Sequence, residues 1–248
     1  MMKKLIAATF VGLAALLTMP AASAAGYDGD LMSANVDISN QNALQRGARL
    51  FADNCMGCHS TKYERYNRVG KGIGLTEEHM EEHFIFVTDE EGEPVGVGSL
   101  MEIAMEDDYA EEAFGVVPPD LTLTARIHGE DWLYTFLKSF YRDESRPLGA
   151  NNTIFSNVGM PHVLWHKQGW QDLVEDEDGN ERLELVESGS MSPTEYDRAV
   201  RDIVTYLSYI GEPVQLERQR IGVFVMIFLA FFTVLAYFLK KEYWKDVH

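Results

Sequence analysis

The sequence predicts a mainly α-helical domain with loop and hairpin insertions, followed by one C-terminal transmembrane helix. Three observations predict it. Apolar residues recur at helical spacing in two long segments, 37–54 and 193–210. A charge-free apolar run from Ile221 to Leu239 approaches the roughly 20 residues needed to cross a bilayer core. The stretches between are acidic and broken by Gly, Pro and Asn, which favours short helices, turns and hairpins.

The chain opens with a secretory pattern from Met1 to Ala25: Lys3 and Lys4, an apolar centre from Leu5 to Leu17, then Ala22-Ser23-Ala24 as a small-residue cleavage site. Cleavage near Ala24 or Ala25 leaves an exported domain over 26–217, an anchor over 218–240 and a tail over 241–248. Asp37 to Asn54 reads as a helix capped by Ser39 or Asn40. Leu44, Gly47, Ala48 and Phe51 share one face, and Gly47 lets a second helix come close while the Phe51 ring packs on it. Gly70-Lys71-Gly72-Ile73-Gly74 has neither the preceding strand nor the spacing of a phosphate loop, so a plain loop is expected.

Leu75 to Phe86 is a helix capped by Thr76, Thr88 to Gly98 a hairpin or exposed loop, and Ser99 to Phe114 a second acidic helix. Pro118-Pro119-Asp120 breaks the chain before one or two helices over Leu121–Tyr141. Arg146 to Trp170 reads as loop, and Asp172 to Gly189 as an acidic hairpin around Asp178-Gly179-Asn180. Pro193 to Ile210 is a helix capped by Ser192, with Tyr196, Val200, Ile203, Leu207 and Ile210 as its apolar stripe. Beyond the apolar run, Tyr237, Tyr243 and Trp244 suit a membrane interface. Arg218 and Arg220 stand before the run and Lys240, Lys241 and Lys245 after it, so charge alone does not orient it. Export does: the domain falls outside the cytoplasm and the C-terminal tail inside.

The balance is strongly acidic, with 39 Asp and Glu against 21 Lys and Arg. Taking away Lys3 and Lys4 with the leader lowers −18 by two, to −20. Such a surface excludes a nucleic-acid partner, which needs basic side chains. It suits a basic partner steered by charge, and it also serves plain solubility.

The only two cysteines stand in Cys55-Met56-Gly57-Cys58-His59. This is the C-x-x-C-H pattern of covalent haem c attachment. Two thiols on one helical turn reach the two vinyl groups of one porphyrin as thioethers, and the next residue, His59, lies under the iron as proximal ligand. A disulfide and a thioredoxin-like redox pair are the other readings; a structural zinc site lacks a second cysteine pair. Export and C-x-x-C-H agree with each other.

Electron carrying also needs a sixth ligand, and a methionine thioether opposite histidine raises the potential. Candidates are Met80, Met101, Met105, Met160 and Met191, with His79, His83, His128, His162 and His166 as nitrogen alternatives. Met160 stands between Gly159 and Pro161, a setting that brings backbone close to a porphyrin and stiffens the loop; a core methionine is the other reading. Arg126 is the candidate partner of a haem propionate, against the ordinary role of a surface arginine.

Runs spread over the exported chain carry a resemblance: Leu44-Gln45-Arg46-Gly47-Ala48, Cys55 to Ser60, Pro118-Pro119-Asp120-Leu121, Asp131-Trp132-Leu133-Tyr134, Ser139-Phe140-Tyr141-Arg142-Asp143, Gly159-Met160-Pro161-His162-Val163-Leu164-Trp165 and Tyr243-Trp244-Lys245-Asp246-Val247-His248. In these the sequence resembles the cytochrome c1 family, the haem subunit of the bacterial cytochrome bc1 complex. The resemblance implies a cytochrome c-type haem domain with one covalent haem c. Cys55 and Cys58 would be the attachments, His59 and Met160 the axial ligands, and Arg126 and Pro119 further cofactor-binding residues. Arg126-Ile127-His128-Gly129 departs from the family, where a second Arg or Gly often precedes the acidic pair.

The implied work is transfer of one electron from a Rieske iron–sulfur protein to a cytochrome c, beside cytochrome b and lipid, in a dimeric complex, with no catalysis by this chain alone. Rival readings are another anchored monohaem cytochrome serving an oxidase, a periplasmic C-x-x-C thiol oxidoreductase, and a haem enzyme or gas sensor with an open sixth position.

Overall fold

A computed structural model describes residues 29–176 and 179–246. The secretory pattern, Asp178 of the expected hairpin, and Val247-His248 lie outside the described residues.

Asn40 starts the first helix, α1 (Gln41–Asn54), by accepting a hydrogen bond on its side chain from the Ala43 N–H. The chain then runs into β1 (Thr61–Arg65), α2 (Tyr66–Ile73), α3 (Glu77–Phe84), β2 (Leu100–Met101) and α4 (Asp107–Phe114). Next come α5 (Thr124–His128), α6 (Glu130–Lys138), β3 (Phe140–Arg142), β4 (Ala150–Asn152), α7 (Trp165–Gln168), β5 (Gly169–Glu175) and β6 (Glu181–Ser188). Two helices close the chain, α8 (Pro193–Gly211) and α9 (Gln215–Tyr243). The strands form three separate antiparallel pairs, β1–β2, β3–β4 and β5–β6, so helices dominate the domain.

The core is organised on the crossing of α1 and α8. Ala48, Phe51, Val200, Ile203 and Tyr206 are sealed from solvent there. A methyl group at Gly47 would collide with the Asp202 carbonyl oxygen, so the two backbones meet directly. Phe51 packs on Tyr206 with ring centroids 5.4 Å apart. Arg46 clamps the buried Asp202 carboxylate through Nε at 2.7 Å and Nη2 at 3.0 Å. At the start of α8 the Glu195 carboxylate accepts from the Ser192 N–H at 2.9 Å. The expected partnership of these two helices, with glycine at the contact, is therefore present.

Four local expectations are corrected. The glycine-rich run 70–74 is not a loop: Gly70, Lys71, Gly72 and Ile73 belong to α2, and Gly74 ends it in the left-handed region at φ +75°. Tertiary contact outweighs weak helix propensity here, because methyls at Gly70 and Gly72 would strike Met80 and the Tyr209 hydroxyl. Ser99 to Phe114 is not one helix, since Leu100-Met101 pairs with β1 and buries Met101. The helices expected up to Tyr141 end at Lys138, because Phe140 and Tyr141 pair with Asn152 and Asn151. That same ladder, together with α7, gives structure to the stretch expected to be loop after Arg146.

The last helix, α9, has 29 residues and buries none of them. At about 1.5 Å per residue it spans about 43 Å, more than the roughly 30 Å of a bilayer core. With no charge from Ile221 to Leu239, it is long and apolar enough to cross a membrane.

Candidate functional site

The first helix continues past Asn54 into the cysteine motif. The Cys55 N–H donates to the Phe51 carbonyl at 2.8 Å. The Cys55 carbonyl then accepts from the N–H groups of Cys58 at 3.0 Å and His59 at 2.9 Å. Residues 55–59 are thus one tight turn, with both thiols free. Cys55 is buried, and that burial pushes its thiol up to about 12.

His59 is also buried, which lowers its pKa and keeps the ring neutral, as metal ligation requires. Its Nδ1 lies 2.8 Å from the Pro119 carbonyl oxygen. A carbonyl can only accept, so Nδ1 carries the hydrogen and Nε2 keeps the lone pair. Pro119 belongs to a strap laid along residues 59–63. The Leu121 N–H donates to the Ser60 carbonyl at 2.9 Å. The Asp120 carboxylate accepts from the Lys62 N–H at 2.8 Å and the Thr122 N–H at 3.0 Å. Sequence reasoning missed Asp120; its place after two prolines was the available signal.

Met160 lies on a loop pinned at both ends. Asn157 adopts a left-handed φ of +61°, its N–H donating to Asn151 Oδ1 at 2.9 Å. His162 is buried and stacks on Phe140 at 5.1 Å, with Trp170 edge-on to it. Trp132 and Phe136 stack at 5.1 Å, and Phe155 meets both edge-on. Met160 is half-buried and packs against the core cluster that contains Cys55 and Met56. The other ligand candidates sit elsewhere. Met80 and Met101 are sealed in the core, and Met191 is half-buried at its margin. His79 and His83 pair on α3, and His128 stacks on Trp132. His166 is exposed beside Trp165, and Met105 lines a cleft of about 430 Å³ with Ser60, Val117 and Pro119. A larger cleft, about 650 Å³ between Asn67 and Met80, touches none of the motif residues.

The fold therefore gathers Cys55, Cys58, His59 and Pro119, while Met160 packs on the core that includes Cys55 and on the smaller cluster of Phe140, Ala150 and Val158. Arg126 stands apart, with its exposed guanidinium 3.2 Å from Glu212. Large apolar side chains lie open to solvent beside both halves of the site: Val116, Val117, Leu123 and Ile127 flank Pro119, and Phe155 and Trp165 flank Met160. Two free thiols, an imidazole with its second nitrogen committed, a thioether and an uncovered apolar rim fit a covalently held haem c.

Comparison with known proteins agrees. The Cytochrome C1 family profile matches residues 33–247. The cytochrome c1 of Allochromatium vinosum is 51% identical, with each chain covered in full. The ammonia monooxygenase gamma subunit of Nitrosomonas europaea is 44% identical over 96% of this chain and 98% of its own. The mitochondrial cytochrome c1 heme protein of Saccharomyces cerevisiae is 28% identical over 83% of this chain and 67% of its own. With the family profile matching nearly the whole chain, and a full-length relative 51% identical, the chain belongs to the cytochrome c1 family.

Proposed function

We propose that His59 and Met160 would ligate the iron of a haem c held covalently by Cys55 and Cys58. The chain is the electron-carrier subunit of the cytochrome bc1 complex, passing one electron at a time from the Rieske iron–sulfur protein to a cytochrome c beside cytochrome b. The observation that carries the ligand assignment is the 2.8 Å bond from His59 Nδ1 to the Pro119 carbonyl, one residue after two free thiols. Haem c supplies a one-electron iron couple when bound.

The chain's own residues do the rest. Cys55 and Cys58 fix the porphyrin on the end of α1. Pro119 orients the His59 ring and makes its free nitrogen more basic. Met160 offers a soft sulfur from a loop that rings and Asn157 hold still. Arg126, on α5 beside the strap, is the further residue that would lie near a propionate while its guanidinium reaches Glu212. The acidic balance favours a basic acceptor, and transfer to one should slow as salt rises. The domains run 1–25 as leader, 26–217 as periplasmic haem domain, 218–240 as anchor and 241–248 as cytoplasmic tail. The complex is dimeric and sits in the inner membrane.

Met160→Leu tests the ligand pair. The far-red sulfur–iron absorption band should vanish and the potential should fall by on the order of 100 mV. An unchanged band would remove Met160 from the site. Purification with cytochrome b and a Rieske protein tests the assembly; recovery without them would favour another anchored cytochrome.

A further inference from the structure

We infer that Glu212 is a positioning residue which sets the haem domain at a fixed angle on its membrane helix. The inference goes beyond the electron-carrier reading but rests on it, since it concerns how that carrier is held.

Glu212 sits at the corner between α8 and α9, with extended backbone, followed by Pro213. One of its oxygens lies 3.2 Å from Arg126 Nη1 on α5. Arg218, in the first turns of α9, donates from Nε to Oε1 at 2.5 Å and from Nη2 to Oε2 at 3.1 Å. The Glu212 side chain is four-fifths covered, while both arginine side chains are more than half exposed. Arg218 first, and Arg126 with it, hold this carboxyl below its ordinary pKa, so it stays charged. A bidentate contact to Arg218 adds direction as well as attraction.

Two further observations make the corner consequential. Among the described residues, α9 buries no side chain against the domain, and the Glu212–Arg218 pair is the one side-chain bond joining them. Secondly, the corner abuts the strap that holds His59. A methyl at Gly211 would lie 3.2 Å from Arg126 Cγ and 3.3 Å from the Thr122 carbonyl. Thr122 donates to Asp120, and Pro119 before it receives His59. The corner thus lies next to the strap that holds His59, and Glu212 ties it by side-chain bonds to both α5 and α9. Glu212 touches no reacting atom; it acts through Arg218 and Arg126. Electron transfer to a partner held by the same membrane depends on how the carrier is aimed.

The test uses the intact complex in membranes. Electron paramagnetic resonance of oriented multilayers reads the angle of the haem plane to the membrane. The haem signal should depend sharply on orientation in the native complex and lose much of that dependence in Glu212→Gln and in Arg218→Gln. Reduction of the haem by the complex's own iron–sulfur donor should slow about tenfold in both. Reduction by ascorbate, which needs no aim, should keep its rate, and Glu212→Asp should retain most of the native behaviour. Should Glu212→Gln fail to assemble, Arg218→Gln decides, because that side chain lies on the anchor. Sharp orientation with native donor rates in Arg218→Gln would overturn the inference. So would equal slowing with ascorbate, which would mean damage to the site itself. If the native complex failed to reduce this haem at all, the electron-carrier reading would fall instead.

Discussion

The α1–α8 crossing and the two segments around Pro119 and Met160 are built on opposite terms. At the crossing, protein meets protein: backbone touches backbone at Gly47, rings pack, and Asp202 is clamped by Arg46. Around Pro119 and Met160 the chain is shaped just as firmly, by hydrogen bonds and stacked rings, yet Val116, Ile127, Phe155 and Trp165 face solvent. A region finished by its own side chains is complete without help. A region that spends hydrogen bonds on holding apolar groups outward is made for a second surface. Changes at the crossing should therefore strike global stability, and changes at the strap should strike the site.

The largest effect is expected from Gly47→Ala. Its methyl meets the Asp202 carbonyl and crowds Tyr206 Cβ at 3.0 Å, so the helices must separate. A loss of about 3 kcal/mol or more is expected, read as failure to accumulate mature haem protein or as a large drop in melting temperature. A native melting temperature would mean that the helices do not cross at this residue. Asp202→Ala comes next. It removes two bonds from Arg46, whose head is half in water, so about 1–2 kcal/mol is expected in denaturant unfolding. An Arg46→Ala, Asp202→Ala pair that adds rather than couples would dismiss the clamp.

Asp120→Ala carries the comparison to the strap. Its two backbone partners, Lys62 and Thr122, lose their acceptor. About 1 kcal/mol of stability should go, together with a disproportionate change at the site, because Pro119 is next in the chain. Carbon monoxide binding to the reduced protein should become easier as His59 loosens. Native gas reactivity with lowered stability would reduce the strap to ordinary packing.

That contrast also explains what could be read in advance. Leu44, Gly47 and Phe51 announced the crossing because a helix face repeats in sequence. The cysteine motif announced its chemistry because its three side chains lie on one turn. The 70–74 helix was hidden, since Tyr209 and Met80, distant in sequence, decide it. Met101 was hidden in the same way by its pairing with β1. The partner of His59 is a backbone carbonyl, which no side chain advertises; only the Pro-Pro-Asp break marks the spot. Glu212 read as an unremarkable acid because Arg126 and Arg218 come together only in the fold.

The smallest effect is expected at Glu64, where the α1–α8 core meets β1. Its side chain is buried and Oε2 has no hydrogen-bond partner among the described residues. Arg68 lies 3.8 Å away, and Tyr206 and Tyr209 of α8 face it without donating to that oxygen. Burial raises the Glu64 pKa, outweighing the pull of Arg68. The folded state therefore holds this proton more tightly than the unfolded chain does. The sign follows: the contribution to stability is full below the unfolded glutamate value and is lost as pH rises through the folded one. Glu64→Gln cannot ionise, so it should match the native protein in acid and gain on it toward neutrality, by on the order of 1 kcal/mol. Melting curves of both proteins across that range would check it. A gap that stays level with pH would mean that the Glu64 carboxyl contributes by shape alone and that the core tolerates its charge.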